Sequence, residues 1–353
     1  MESINPPYII APHDPILVTG AAGFIGSRVL ERLIALGFRN LKCFVRPSSR
    51  VERIDEIKRQ SAPGVQMEII RGNLLVQEDC NAGCREAAVI LHLAAGTGEK
   101  SFPDAFMNSV VTTRNLLEAS IRFGRLQRFV LVSSFAVYSN RQKSNLLDES
   151  SPIEDHPEER DAYCFAKVRQ EEIIQEYAAK FGVRYVVVRP GSVYGVGRRE
   201  ITGRVGLGTF GVFLHLGGGN RIPFTNVENC AQAIALAGVV PGVEGEAFNV
   251  LDDDLPSSRQ FLRAYKREVR SFRSIYVPHR LSYALCLLWE KYSRWSHGQL
   301  PLAFSRGHWY SLWRKTRYNN QKIKKMLGWK PLIPTQEALQ SYFAAIKRDE
   351  RAA

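Results

Sequence analysis

Nowhere in these 353 residues does an apolar run approach the ~20 that cross a bilayer, so a membrane-spanning helix is not expected. No basic start leads into the apolar core of a secretory signal; the pair Ile9-Ile10 is too short to be one. Metal-like spacing is missing from the six cysteines (Cys43, Cys80, Cys84, Cys164, Cys230, Cys286), since three residues separate Cys80 from Cys84 where two would be usual. No histidines cluster with them. A reduced, cytoplasmic setting with several thiols simply buried is the expectation, without metal or disulfide framework. Internal repeats and low-complexity tracts are also missing. Tryptophan does not occur before Trp289. Acid is scarce in one place only: Arg259 to Ala353 holds 20 Lys+Arg against 5 Asp+Glu, whereas the first 258 residues sum to −2 within an overall +13.

What is present is an alternation of short apolar strands with helical stretches, in a chain 45% apolar and long enough to bury a large core. That alternation predicts an α/β fold, a Rossmann-type doubly wound parallel sheet with a smaller C-terminal lobe. The strongest local signal follows the apolar stretch Ile16-Leu17-Val18. There Gly20, Gly23 and Gly26, with Phe24 and Ile25 between them, lead into the apolar-periodic Val29, Leu30, Leu33 and Ile34. A strand, a glycine-rich turn and a helix form a cradle for a dinucleotide pyrophosphate. The first glycine permits the tight turn, the second lets backbone N–H groups approach the phosphates, and the third lets helix and strand pack closely.

A second signal lies about 140 residues on. Tyr163 and Lys167 are spaced i, i+4 and share a helix face, where an ammonium can lower a phenol's pKa toward the range useful for acid–base work. Phe129 to Val132 reads as a buried strand ending in Ser133-Ser134, and Tyr185 to Arg189 as another ending at Pro190-Gly191. Hydroxyl, phenol and ammonium thus arrive at the carboxyl end of a strand and the helix after it, where open α/β sheets bind ligands.

With these motifs in hand the chain resembles the extended short-chain dehydrogenase/reductases, the NAD-dependent epimerase/dehydratase family, over residues 14 to 345. Matching segments include Thr19 to Gly26, His92 to Ala95, Ser133 to Tyr138, Tyr163 to Lys167, Arg189 to Gly195, Val227 to Ala231, Gly245 to Val250 and Leu327 to Pro331. The resemblance implies that Tyr163 is the general acid/base, that Lys167 tunes the phenol and binds the nicotinamide ribose, and that Ser134 hydrogen-bonds the substrate oxygen. It also implies that Pro190 and Val193 flank the nicotinamide, with Leu93, Ala94, Ala95, Asn73 and Leu74 along the cofactor and Phe135 toward the substrate. Two departures stand out: Ser109 replaces the usual Asn, and Asn73-Leu74 replaces Asp-Leu.

The second strand, Leu41 to Val45, ends at Arg46, where an NAD-binding fold usually carries an acid for the ribose 2′-OH. An arginine pairs instead with a 2′-phosphate, so NADP is favoured over NAD. The implied reaction is reversible oxidation of a secondary alcohol, by an epimerase or a dehydrogenase/reductase. Family dehydratases carry Thr-Asp-Glu where this chain has Ser134-Phe135-Ala136, and without that acid pair water expulsion is disfavoured. A nucleotide-linked sugar is the favoured substrate, with Arg198, Arg199, Arg204 and Arg221 as candidates for its diphosphate. Alternatives are a 3β-hydroxysteroid, hopanoid or lipid-linked-sugar dehydrogenase, or a non-catalytic NADP-binding regulator.

Residues 15–195 are expected to form the dinucleotide-binding domain and 196–345 mainly the substrate lobe, interleaved with it around Ala247 to Val250. Residues 1 to 14 read as a loose leader, Thr97 to Lys100 as the mouth of the site, and Asn140 to Arg160 as a crossing loop. The glycine-rich stretch Gly203 to Gly219 reads as either a mobile cover or an ordinary connection. Three readings compete for the basic, Trp-bearing C-terminal stretch: a solvated surface, peripheral contact with the inner face of a membrane through Leu281 to Trp295, or nucleic acid, which no recognised module supports. Relatives are often homodimers.

Overall fold

Ile16, Leu17 and Val18 are apolar at consecutive positions, and a strand buries both faces only where helices cover both sides. The computed structural model, which describes residues 8–96, 101–123, 125–141, 144–209, 211–295 and 306–352, places them in such a strand. Seven parallel strands form the main sheet: β1 (Ile16–Thr19), β2 (Asn40–Val45), β3 (Gln66–Arg71), β4 (Val89–His92), β5 (Arg128–Val132), β6 (Tyr185–Pro190) and β7 (Ala247–Val250). Their spatial order is β7-β6-β5-β4-β1-β2-β3. Val18 opposes Cys43 on one side and Leu91 on the other, so β1 lies at the point where the winding reverses, and a crevice opens there at the strands' carboxyl ends.

Helices α1 (Gly26–Ala35), α2 (Glu52–Gln60) and α6 (Val227–Val239) bury Val29, Leu30, Ile54, Ile57 and Ile234 against one face of the sheet. Helices α3 (Gln77–Cys84), α4 (Thr112–Phe123) and α5 (Ala162–Phe181) bury Cys80, Leu116 and Ile174 against the other. Small residues bring α6 close: a Cβ on Gly238 would stand 2.9 Å from Leu91.

The stretch from Tyr8 to Asp14 is not a loose leader. Tyr8 packs on Phe38 at 5.4 Å, Ile10 is buried, and Ile9 N–H donates to Val239 O at 3.0 Å, so apolar contacts and a backbone bond hold it down. Nor is the glycine-rich stretch a loop. Gly206–Thr209 and Val212–His215 pair as an antiparallel hairpin, to which Ser274–Tyr276 adds a parallel strand. Glycine is required there by close approach, since a Cβ at Gly206 would lie 1.9 Å from Leu214 O. Thr97 to Lys100 lie outside the described residues.

The C-terminal lobe is fastened to the sheet domain by Asn229. Its Oδ1 accepts the N–H groups of Leu332 and Ile333 at 2.7 and 3.0 Å, and its Nδ2 donates to Asp252 at 2.8 Å. Trp329 Nε1 donates to Asn229 O at 3.1 Å. Trp313 and Trp329 are core residues, whereas Trp295 is exposed. All six cysteines are buried and unpaired. No described helix is long and apolar enough to cross a membrane.

Candidate active site

Gly20 adopts φ +70°, which only glycine accepts without strain, and turns the chain out of β1. A Cβ on Gly26 would fall 2.1 Å from Gly20 O, so the start of α1 is packed onto the turn itself. Helix α1 has no side-chain cap and no acid in its first turn, leaving its leading N–H groups and the positive end of its dipole for an anion. These features fit a dinucleotide pyrophosphate. Phe24 sits between two cations, with the guanidinium carbons of Arg28 and Arg198 at 5.2 and 5.1 Å from its ring centroid.

Around this turn, Ala94 N–H donates to Thr19 Oγ1 at 3.2 Å, while Leu93 and Ala95 flank it at the end of β4. Arg46 is exposed just beyond β2, with no acid at that strand end. Asn73 closes a turn: its Oδ1 accepts Leu75 N–H at 3.0 Å and its own N–H donates to Asp79 at 2.7 Å. Leu74 is buried in the core. Pro190 is buried at the end of β6, and Val193 lies half-buried just past it.

Helix α5 begins at Asp161, whose carboxylate accepts Cys164 N–H at 2.8 Å, and this cap sets the first turn that carries Tyr163. Tyr163, Ser134 and Phe135 line one cavity of about 250 Å³. Burial raises the Tyr163 pKa above its ordinary value; Ser134 and Arg198 offset part of the rise, and Asp161 adds to it. Lys167 Nζ donates to Val132 O at 2.8 Å and stands 6.0 Å from the Tyr163 ring centroid. Burial pushes Lys167 down to about 8, with Glu171 acting in the opposite sense. Desolvation is the largest influence on both groups.

A buried polar network behind the pair was missed in the sequence. Thr113 Oγ1 donates its only proton to Ser109 O at 2.6 Å, so it accepts from Gln170 Nε2 at 2.7 Å and from His92 Nε2 at 3.0 Å. His92 Nδ1 is then the acceptor for Thr19 Oγ1 at 2.8 Å. This order fixes a neutral, Nε2-protonated imidazole, in line with a pKa pushed down to about 3 by burial and by Lys167. Ser109 lies in a π-helical turn, Phe106–Val111, where its Oγ accepts Gly96 N–H at 3.1 Å. Glu171, one turn beyond Lys167, holds Arg189 at 2.9 and 2.6 Å, and Arg189 donates to Tyr138 Oη at 3.0 Å. The signal for this network was present: Gln170 and Glu171 continue the spacing of Tyr163 and Lys167 along one buried face.

Of the four arginines proposed for substrate, only Arg204 lines the cavity, donating to Ser311 O at 2.9 Å. Arg198 belongs to the glycine turn. Arg199 pairs with Asp349 at 3.0 Å on the surface, and Arg221 is tied to Leu255 O, so both point away from the cavity. Arg160 and Arg314, neither singled out in the sequence, complete the cationic wall. Arg160 is fixed by the carbonyls of Ala136 and Tyr138 at 2.9 and 2.8 Å. In the same cavity, Phe135 stacks on Tyr318 at 5.9 Å.

A model of the NAD dependent epimerase/dehydratase family matches residues 16–250. A 4-hydroxy-2-methyl-3-oxo-4-farnesyl-3,4-dihydroquinoline-1-oxide ketoreductase of Stigmatella aurantiaca is 25% identical over 332 residues, 92% of this chain and 94% of its own. An uncharacterised UDP-glucose epimerase of Bacillus subtilis is 28% identical over 254 residues, 67% of this chain and 76% of its own. Among solved structures, a UDP-glucuronic acid 4-epimerase from Bacillus cereus, in complex with UDP-glucuronic acid and NAD, superposes with TM-score 0.71 at 20% identity. It covers 95% of this chain and 99% of its own. That last likeness is one of fold.

Proposed function

From the premise that the chain belongs to the NAD dependent epimerase/dehydratase family and is an enzyme of the extended short-chain type, we propose that it interconverts a secondary alcohol and a ketone at Ser134, Tyr163 and Lys167. The observation that carries this reading is the meeting of Ser134 and Tyr163 in one cavity at the carboxyl ends of the strands. A bound nicotinamide nucleotide supplies or accepts the hydride. Ser134 Oγ holds the substrate oxygen, and Tyr163 Oη gives that oxygen a proton in reduction or takes it in oxidation. Burial raises the phenol above its ordinary value, which favours its protonated form. Lys167, anchored on Val132 O, is the residue proposed to bind the nicotinamide ribose.

Arg46 at the end of β2 supports NADP as the preferred cofactor, since a guanidinium receives a 2′-phosphate and cannot accept from a 2′-OH. Arg160, Arg204 and Arg314 support a substrate with a diphosphate, a nucleotide-linked sugar being the first choice. Among the described lining residues the one acid, Asp161, is engaged in capping α5. A second reading, an apolar or lipid-linked alcohol, is favoured by the Phe135–Tyr318 stack and by the farnesyl-quinoline ketoreductase, whose alignment runs through the C-terminal lobe.

The test is incubation of purified protein with NADP(H) or NAD(H) and panels of UDP- and GDP-sugars, sterols and prenylated ketones, following nicotinamide absorbance. Sugar products are also separated, because an epimerase shows little net absorbance change. Turnover of a nucleotide sugar with NADP is the expected result. Conversion of sterols or prenylated ketones alone selects the second reading, and no conversion of any carbonyl or alcohol overturns both.

A further inference from the structure

The helix His279–Trp295 is amphipathic the wrong way round. Its buried positions are Ser282, Cys286, Glu290 and Ser293, while Leu281, Leu285, Leu288, Tyr292 and Trp295 are all at least half exposed, Leu288 at 62% and Trp295 at 73%. The five exposed residues follow one another at spacings of four, three, four and three, which at about 3.6 residues per turn makes one continuous stripe. The polar face is the packed one: Ser282 Oγ accepts Trp309 Nε1 at 2.9 Å, and Glu290 holds Arg306 at 3.0 Å. A surface helix normally buries its apolar stripe. Here the lobe folds on the other face and leaves the stripe outward. Exposed Arg280 and Lys291 lie along one flank of it, and Tyr292 stacks on Trp295 at 5.8 Å.

We propose that this face docks on an anionic lipid surface. The leucines and Trp295 enter the boundary between headgroups and acyl chains, and the cations beside them meet the negative headgroups. Charge selects this occupant over a second copy of the chain. Arg280 and Lys291, the exposed cations beside the stripe, would meet their own copies if two chains paired through it, bringing like charge to like. The docking face is one helix removed from the active-site cavity: Tyr283 contacts Tyr310 at 6.0 Å, and Tyr310 lines that cavity. Vesicle binding is read independently of turnover, so this docking and the proposed reaction fail separately.

Full-length protein is sedimented with vesicles of phosphatidylcholine alone and of phosphatidylcholine mixed with phosphatidylglycerol. Binding to the mixed vesicles is expected to exceed binding to the neutral ones by about tenfold or more, and to weaken as salt is raised. L285E combined with L288E should lower partitioning by about tenfold or more, with melting temperature unchanged because both positions are exposed. Negligible sedimentation with either vesicle overturns the proposal. So does undiminished binding by the doubly substituted protein. A wild-type dimer that this double substitution makes monomeric, without vesicle binding, also overturns it and assigns the stripe to a second copy.

Discussion

The cofactor side of the cleft and its substrate side are built from different material. The cradle before α1 is made of backbone: a left-handed glycine, a glycine pressed against a carbonyl, and uncapped N–H groups at a helix start. The substrate wall is made of long side chains: Arg160, Arg204, Arg314, Tyr310 and Tyr318 come from segments up to 158 residues apart in sequence. Backbone geometry tolerates little change and recognises what every dinucleotide shares. Side chains can be exchanged without disturbing the sheet, so the substrate specificity proposed above rests on them.

Four substitutions press on that contrast. Gly26→Val should have the largest effect: a side chain directed at Gly20 O, 2.1 Å from the first added carbon, forces α1 off the turn. Titration with NADPH should then show no measurable binding, and binding near wild-type strength would mean the turn is not the cradle. Next comes His92. It is neutral when folded, with a pKa of about 3, and charges near 6.5 when unfolded. Between those values the unfolded chain binds the extra proton, so stability falls as pH falls through this window, by on the order of 4 kcal/mol from this group. Urea midpoints for wild type and His92→Gln at pH 7 and pH 4 should show a shallower acid loss in the variant; parallel losses would count against the buried network.

On the other side of the cleft, Arg204→Ala should raise KM for the substrate about tenfold with little change in kcat and none in cofactor affinity. A selective fall in kcat would instead place Arg204 at the reacting atoms. The smallest effect is expected of Arg46→Asp, which should move cofactor preference from NADP toward NAD by about tenfold. An unchanged ratio of affinities would remove Arg46 from cofactor choice.

The sheet, the turn and the Tyr163–Lys167 pair were legible because each is a local pattern: a run of apolar residues, glycines at fixed offsets, two side chains one helical turn apart. Arg160 and Arg314 were not, because nothing in their own neighbourhoods tells that the chain returns them to the end of β5. Arg199 and Arg221 were named on charge alone, and ion pairing and a backbone carbonyl took them elsewhere. The glycines of the 206–215 hairpin misled for a related reason: glycine marks a bend and a close backbone approach equally well. Spacing reports the proximity of Tyr163 to a cation but not the loss of water around both groups, which only the folded chain shows.

In the proposed reaction the Tyr163 hydroxyl is the group that exchanges the substrate's proton. Tyr163→Phe removes that one atom from the cavity wall, and the decisive measurement is turnover together with NADPH affinity in this variant. We predict that turnover falls by about a hundredfold or more with affinity retained. Turnover at the wild-type rate would contradict the account.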